Sequence, residues 1–422
     1  MAIIQLKSTN PNFSFVIHKN PQSGMMIRSV RKGLAYGWYT DESCFNIYFK
    51  DADNEVSYKK DVNEDFEYLN VSRYNTPLFP MKAISEFFSS AFKKQGEQDT
   101  SGFHHQFFIN MIHIDRMNYV ESFRKHFPDC EFDFEHRAHK SYSITISTTK
   151  SIYYLLHVAN VFCLFMSMFA AEYLDLSDAT LAKSIRSVNV IDAPFYIRNL
   201  FAVNFLNSRA RFSKFKEELE KTQRYKIEFV LGGTANQRRD FIREQLTFDK
   251  GILDIGCGEG HYATAFASKL DDHYYAVDID PECLKLVEKR AARRDIENIL
   301  LYNSLEEFLE TYNEGQVDVF LTEVIEHMPL EEAEQLIKKL VRQVNFETLV
   351  ITTPNANFNQ FYELTGFRHE DHEWEMGSED FEAWARKVFA HYPLALTFVA
   401  IGDRVNGIAT TQGVIVKGGV EK

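Results

Sequence analysis

Gly251-Ile252-Leu253-Asp254-Ile255-Gly256-Cys257-Gly258-Glu259-Gly260 sets an apolar run directly against three glycines at alternate positions. The run reads as a short strand and His261 to Leu270 as a helix, so the glycines fall where strand hands over to helix. The same alternation continues outward. Tyr274 to Val277, Ile299 to Tyr302, Val317 to Leu321 and Thr348 to Ile351 read as strands. Pro281 to Arg294, Leu330 to Val341 and Glu379 to Phe389 read as helices, and Leu396 to Ile401 with Gly413 to Lys417 as a late pair of strands. Strands that are apolar throughout and separated by helices imply a Rossmann-like α/β domain, a parallel sheet covered on both faces.

Glycines at a strand-to-helix turn let the backbone bend sharply and come close to a ligand. The spacing is GxGxG with Asp254 at the strand end, not the dinucleotide GxGxxG, which favours S-adenosylmethionine over a nicotinamide cofactor. Asp278 follows the second strand, about twenty residues on, where a carboxylate can accept hydrogen bonds from ribose hydroxyls. Asn303-Ser304, after the third strand, would flank the adenine. The cofactor candidates are therefore Asp254, Gly256, Gly258, Gly260, Asp278 and Ser304.

The fourth strand ends in Glu323-Val324-Ile325-Glu326-His327. In a helical turn Glu323, Glu326 and His327 project from one side. A solvated helix start rich in acids is the competing reading. Two carboxylates this close repel each other without a cation, which tilts the balance toward one. Thr353-Pro354-Asn355 and Arg368-His369-Glu370-Asp371-His372-Glu373-Trp374-Glu375 come later, at the carboxyl edge of the sheet where ligands bind in open α/β folds. Carboxylates and imidazoles without a thiolate suit Mg²⁺ or Mn²⁺ better than a closed zinc site.

Glu323-x-x-Glu326-His327, Thr353-Pro354-Asn355, and Arg368-x-x-Asp371-His372-x-Trp374-Glu375 followed by Phe381-x-x-Trp384-Ala385 resemble the small-RNA 3′-terminal 2′-O-methyltransferases. The resemblance implies a seven-stranded class I methyltransferase domain and makes Glu323, Glu326, His327 and His372 both the catalytic centre and the metal ligands. It implies methyl transfer from S-adenosylmethionine to the 2′-hydroxyl at an RNA 3′ end, with His327, His372 and His369 as candidate bases. Asp371 would orient a neighbouring ligand or arginine. Two other readings stand beside it: a metal-dependent methyltransferase of small diols, and a mainly non-catalytic activator of an RNA ligase.

The first half reads as mixed α+β. Phe13 to His18, Phe45 to Lys50 and Ser141 to Ser147 alternate like strands, and Met81 to Phe92 like an amphipathic helix. Tyr68-Leu69-Asn70-Val71-Ser72-Arg73-Tyr74 and Phe15-Val16-Ile17-His18-Lys19-Asn20-Pro21 resemble the amino-terminal domain of the bacterial members of that family. In that group the domain assists a partner with kinase-phosphatase and RNA-ligase activities, so that cut RNA is methylated and sealed. The expected division is residues 1–230 for this domain and 231–422 for the methyltransferase, with the charged run Arg209 to Lys226 as connector.

Composition limits the alternatives. The chain has 422 residues and five cysteines without a CxxC pair, which argues against a disulfide framework and for a cytoplasmic location. No signal sequence is visible, and Ile152 to Ala171, the one membrane candidate, carries His157, Asn160 and Ser167 and reads as a buried helix. His104-His105 reads as an exposed loop pair. The net charge of −13 speaks against a general nucleic-acid coat protein. It is unevenly placed: residues 1–230 hold 28 Lys+Arg and 26 Asp+Glu, and residues 231–422 hold 19 and 34. An enzyme that grips only the last nucleotides of an RNA needs no long basic track.

Overall fold

The computed structural model describes residues 2–30, 33–51, 74–170, 177–364 and 366–418. It divides into two compact units, Met1–Arg198 and Asn199–Lys422. Most of the Tyr68-to-Tyr74 motif lies outside the described residues.

The first unit holds strands β1 (Ala2–Ser8), β2 (Met26–Val30), β3 (Gly33–Asp41), β4 (Cys44–Asp51), β5 (His105–His113), β6 (Glu131–Ala138) and β7 (Ser141–Thr148). They form one antiparallel sheet in the order β2-β3-β4-β1-β5-β7-β6. The apolar candidate span is a helix, Ile152–Phe169, buried over most of its length in this unit. Its first turn is capped by Ser151, while the Asp99 carboxylate accepts from the backbone N–H groups of Ile152 and Tyr153, both at 2.8 Å. Two of its polar residues share one partner: Asn160 donates to Ser187 at 3.1 Å, and His157 Nδ1 lies 2.8 Å from the same hydroxyl, while the buried Ser167 hydroxyl has no hydrogen-bond partner among the described residues.

Three local readings of this unit are corrected. Phe13–Val16 is a helical turn, not a strand, entered through Asn10, whose side chain accepts from Asn12 N–H at 2.8 Å. The helix expected over 81–92 breaks at Phe88 into Leu78–Phe87 and Ser89–Lys93, where Phe88, with φ −113° and ψ 22°, leaves the helical conformation. His105 is not exposed: strand alternation turns it inward, beside Ser8 Oγ at 2.8 Å, and burial, aided by His104, lowers its pKa to about 4.

The second unit holds β8 (Ile227–Glu228), β9 (Gly251–Ile255), β10 (Tyr274–Val277), β11 (Ile299–Tyr302), β12 (Val317–Thr322), β13 (Phe346–Pro354), β14 (Leu394–Val405) and β15 (Ile408–Gly418). The order is β11-β10-β9-β12-β13-β15-β14-β8, with β11 through β13 parallel and the remainder antiparallel. This is the expected seven-stranded sheet with the two-residue β8 added at one edge. Alternation along β12 shows why both faces of a central strand carry apolar residues. Val319 and Leu321 pack toward helices Leu330–Gln343 and Ser378–Phe389, and Phe320 packs toward Tyr262 and Phe266 on the other face.

The sequence placed the division at residue 230, and segment 199–230 packs with the second unit. Asp403 of β14 accepts from Asn199 Nδ2 at 2.7 Å, from Val230 N–H at 2.7 Å and from Gln237 Nε2 at 2.9 Å. These long-range bonds to one buried carboxylate tie the segment to the sheet and leave no sign in local composition.

Candidate functional site

At the end of β9 the chain turns on three glycines with left-handed φ, +69° at Gly256, +52° at Gly258 and +76° at Gly260. The amides of Gly256 and Cys257 both donate to the Val277 carbonyl, at 2.8 and 3.0 Å, which pins the loop to the end of β10. A Cβ on Gly256 would sit 2.4 Å from Val324 Cγ2, whereas one on Gly258 would meet nothing within 4 Å. Gly256 is required by packing, and Gly258 faces open space at the carboxyl edge, where a cofactor would lie.

Asp278 reaches across to this loop: its Oδ2 accepts from Gly258 N–H at 2.7 Å and its Oδ1 from Asp280 N–H at 2.9 Å. Ile279, next in sequence, is 89% exposed, an apolar side chain left bare beside the glycine loop. The sequence reading passed over it, although an isoleucine between two aspartates at a strand end was the available signal. Ser304 caps helix Leu305–Thr311 by accepting from Glu307 N–H at 3.1 Å. Asp254 lies beneath the loop, fully buried, with Oδ2 accepting from Tyr274 at 2.7 Å; burial pushes its pKa up to about 7. Its position supports the loop from below.

The second constellation forms where β12 ends. Glu323 takes a left-handed φ of +54°, which no glycine relieves, and a 3₁₀ turn over Ile325–His327 follows. That kink turns Glu326 inward, fully buried, and neither of its carboxylate oxygens has a hydrogen-bond partner in the described structure. Burial, and then the charge of Glu323, raise its pKa well above the ordinary carboxylate range. The loop after β13 brings His372 alongside. One ligand atom from each of Glu326, His327 and His372 lies within 4.8 Å of the others.

Both imidazoles are held through Nδ1. His372 Nδ1 lies 2.6 Å from Glu375 Oε1, and His327 Nδ1 lies 3.0 Å from Asp371 Oδ2. This leaves Nε2 of each ring as the atom for a ligand, the arrangement metal-binding histidines commonly show. Asp371 also bonds His369 Nδ1, so one carboxylate touches both the His327 and the His369 rings. Glu375 accepts from Arg368 N–H at 2.7 Å and Asn359 Nδ2 at 2.6 Å as well; burial works to raise its pKa, but these bonds hold it below the usual range. Arg368 donates to the carbonyls of Asn355 and Thr410, each at 2.7 Å, so it serves as a strut of the loop.

The structure thus brings together three of the four expected ligands. Glu323 is engaged elsewhere: Thr352 Oγ1 donates to its Oε1 at 3.1 Å, and Arg238 Nη1 lies 3.2 Å from its Oε2. Sequence reading missed Arg238, because nothing in Gln237-Arg238-Arg239 announces a partner 85 residues away.

Comparison with known proteins also divides the chain in two, although the first match runs past the structural boundary at Arg198. The family profile described as Hen1 N-terminal domain matches residues 3–224, and a methyltransferase-domain profile matches residues 252–345. A small RNA 2′-O-methyltransferase of Xenopus tropicalis is 37% identical over 82 residues, covering 19% of this chain and 22% of that protein. Its counterpart in Caenorhabditis elegans is 26% identical over 184 residues, covering 37% and 42%. The chain therefore spans less than half the length of either relative. A chain in the structure of the Pnkp1/Rnl/Hen1 RNA repair complex has the same fold, with a TM-score of 0.80 at 24% identity over 98% of this chain and 100% of that one.

Proposed function

The chain belongs to the family defined by the Hen1 N-terminal domain, and on that premise we propose that it methylates the 2′-hydroxyl of the 3′-terminal ribose of RNA. The methyl donor in this reading is S-adenosylmethionine, which the glycine loop, Asp278, Ile279 and Ser304 would hold. Donor and acceptor meet because β9 and β12 are neighbours, so the glycine loop and the Glu323-to-His327 turn leave the sheet side by side, with Val324 packed on Gly256. The observation that carries the proposal is Glu326: a fully buried carboxylate with two unpartnered oxygens, facing two imidazoles whose other nitrogens are held by carboxylates.

Buried charges are paired or coordinate metals, and this donor set fits Mn²⁺ or Mg²⁺, with the imidazoles leaning toward manganese. Glu326, His327 and His372 would hold the ion, and Glu323 would join them on leaving Arg238. When bound, such an ion supplies the Lewis acidity that a ribose hydroxyl needs to ionise near neutral pH. The protein's own part is orientation and proton transfer. Of the three candidate bases, His369 stands outside the cluster with a 71% exposed side chain and Nδ1 on Asp371, and in this reading its Nε2 would take the 2′-hydroxyl proton. The 2′-oxygen forms its bond to the methyl carbon as the carbon–sulfur bond breaks, leaving S-adenosylhomocysteine. Recognition of both vicinal hydroxyls would select the 3′ end, since internal nucleotides have no free 3′-hydroxyl.

In the same reading the first unit docks a kinase-phosphatase/ligase partner, so that methylation accompanies RNA repair, in the cytoplasm, where free thiols such as Cys44, Cys130, Cys163 and Cys257 persist. The test is radiolabelled methyl transfer to RNA with Mn²⁺, Mg²⁺ or EDTA, followed by nucleoside analysis of the labelled end. His372→Ala should abolish transfer and leave S-adenosylmethionine binding intact. Full activity of that variant, activity in EDTA, or equal labelling of RNA ending in a 3′-phosphate would each overturn the proposal.

A further inference from the structure

We propose that the segment Arg209–Lys226 is the surface along which the RNA strand lies as its 3′ end enters the site; the inference rests on the RNA-end reading above. Three independent features of the second unit support it. The first is charge. Between residues 209 and 226 there are seven Lys+Arg and three Asp+Glu, in front of a stretch, 231–422, in which acids outnumber bases 34 to 19. Arg209, Lys214, Lys221, Arg224 and Lys226 are all exposed. Lys221 and Lys226 sit in surface ion pairs with Glu218 and Glu228, a kind of pair that exchanges readily for a phosphate.

The second feature is position on the sheet. Lys226 N–H donates to Asn406 Oδ1 at 2.9 Å, and Asn406 N–H donates back to the Lys226 carbonyl at 2.8 Å. Asn406 lies in the turn between β14 and β15, and the register Pro354↔Thr411 puts that turn at the carboxyl end of β13. The segment therefore ends on the same sheet edge as the Glu326, His327 and His372 cluster. It also lies on the far side from the cofactor: the glycine loop follows β9, the cluster follows β12, and the segment leads into β8 at the opposite margin. In-line displacement needs the nucleophile to approach the methyl group from the side away from the sulfonium. An acceptor strand entering over β13, β15, β14 and β8 meets that requirement.

The third feature is a continuous path of contacts. Tyr225 packs edge-on against Phe361 with ring centroids 5.7 Å apart, and Phe361 against Phe358 at 5.2 Å. The Arg368 guanidinium lies 5.8 Å from the Phe358 ring, and Arg368 N–H bonds Glu375, which holds His372. Phe212, Tyr225 and Phe361 remain partly exposed among the cations. Cations for the backbone with aromatic faces for the bases is how single-stranded nucleic acid is held without regard to sequence.

The test uses the full-length protein with Lys214→Gln, Lys221→Gln and Arg224→Gln combined, none of which touches the proposed cluster. Binding of a single-stranded RNA of roughly 12 nucleotides is measured across a salt series, and methyl transfer is measured on the same RNA and on a dinucleotide. The triple variant should bind the longer RNA about tenfold or more weakly, with the slope of log K against log salt reduced by about 2, because each lost phosphate contact removes about 0.7 on a single strand. Its kcat on the dinucleotide should match wild type. Unchanged RNA affinity and slope would show a merely solvated helix face and overturn the inference. Unchanged RNA affinity with lost binding of a ligase partner would assign the segment to protein docking and overturn it equally. Should the variant misfold, wild-type protein crosslinked to RNA carrying 4-thiouridine roughly four nucleotides from the 3′ end decides: crosslinks within 209–226 support the path, and crosslinks elsewhere refute it. Failure of wild type to methylate either acceptor would instead strike the RNA-end reading.

Discussion

Gly256→Ala is the substitution in which fold and chemistry are most closely joined. Two penalties follow from the structure. Gly256 has φ +69°, and an L-residue held there costs about 1–2 kcal/mol. Its new Cβ would also lie 2.4 Å from Val324 Cγ2 and 3.2 Å from Cγ1, and forced overpacking of this kind costs about 1–3 kcal/mol. The sum is a loss of about 2–5 kcal/mol, which for a unit of this size lowers its unfolding temperature by about 4–20 °C. Val324 sits between Glu323 and the turn carrying Glu326 and His327, so relief of the clash by backbone movement would displace the cluster as well. The assay is urea and thermal unfolding of wild type, Gly256→Ala, Val324→Ala and the double variant. Val324→Ala should restore the overpacking share, a coupling of about 1–3 kcal/mol, and leave the φ penalty in place. Gly258→Ala is the internal control: its Cβ has open space, so only the strain of φ +52° remains, yet the added methyl should weaken S-adenosylmethionine binding. A Gly256→Ala protein as stable as wild type, or a Val324→Ala background that rescues nothing, would refute the reasoning.

Two further outcomes concern the cluster. The Glu326 pKa is raised by burial and by Glu323 above its unfolded value of 4.5, so its contribution to stability is full below that pH and is lost as pH rises toward the folded value. Without metal, Glu326→Gln should therefore gain on wild type between about pH 5 and 8. Mn²⁺ at about 100 times its Kd should add about 2.7 kcal/mol to wild type and nothing to the variant. Parallel pH profiles, or equal stabilisation by Mn²⁺, would contradict the assignment. Glu375→Gln removes the carboxylate 2.6 Å from His372 Nδ1 and should weaken Mn²⁺ binding about 10–100-fold, read as free Mn²⁺ by electron paramagnetic resonance. Unchanged affinity would show that Glu375 only braces the loop through Arg368 and Asn359.

What could be read in the sequence was whatever depends on near neighbours and on burial. Gly251–Ile255 and Val317–Thr322 are buried on both faces, and their apolar residues, interrupted only by Asp254, Asp318 and Thr322, mark central parallel strands in the sequence. The glycine loop was legible for the same reason, since turn chemistry is local. Phe13–Val16 carries the aromatic and β-branched residues of a strand, but Asn10 starts a turn there and leaves Phe15 69% exposed. The site was legible only as a set of residue types. That Glu375 holds His372 was not readable from their spacing of three, because residues 372–375 form a loop and not a helical turn. That Glu323 faces Arg238, and that three of four ligands converge without it, depends on where helix Thr234–Arg243 packs, which no window of sequence contains.

The net charge of −13 illustrates the difference between composition and placement. Charges farther apart than about 8 Å are largely screened at physiological ionic strength, so an approaching phosphate responds to the cations beside its path and little to the total. Along Arg209–Lys226 those cations outnumber acids, seven to three. Beyond them the acids that matter are Glu323 and Glu326, and they differ in state: Glu323 is answered by the Arg238 guanidinium, while the oxygens of Glu326 have no partner. A divalent ion arriving there would displace a proton from Glu326 and meet a second carboxylate that must first be released by an arginine. Glu326 thus lines the proposed cation site while the proposed phosphate path is locally basic, so an acidic chain and an RNA substrate are compatible on local grounds.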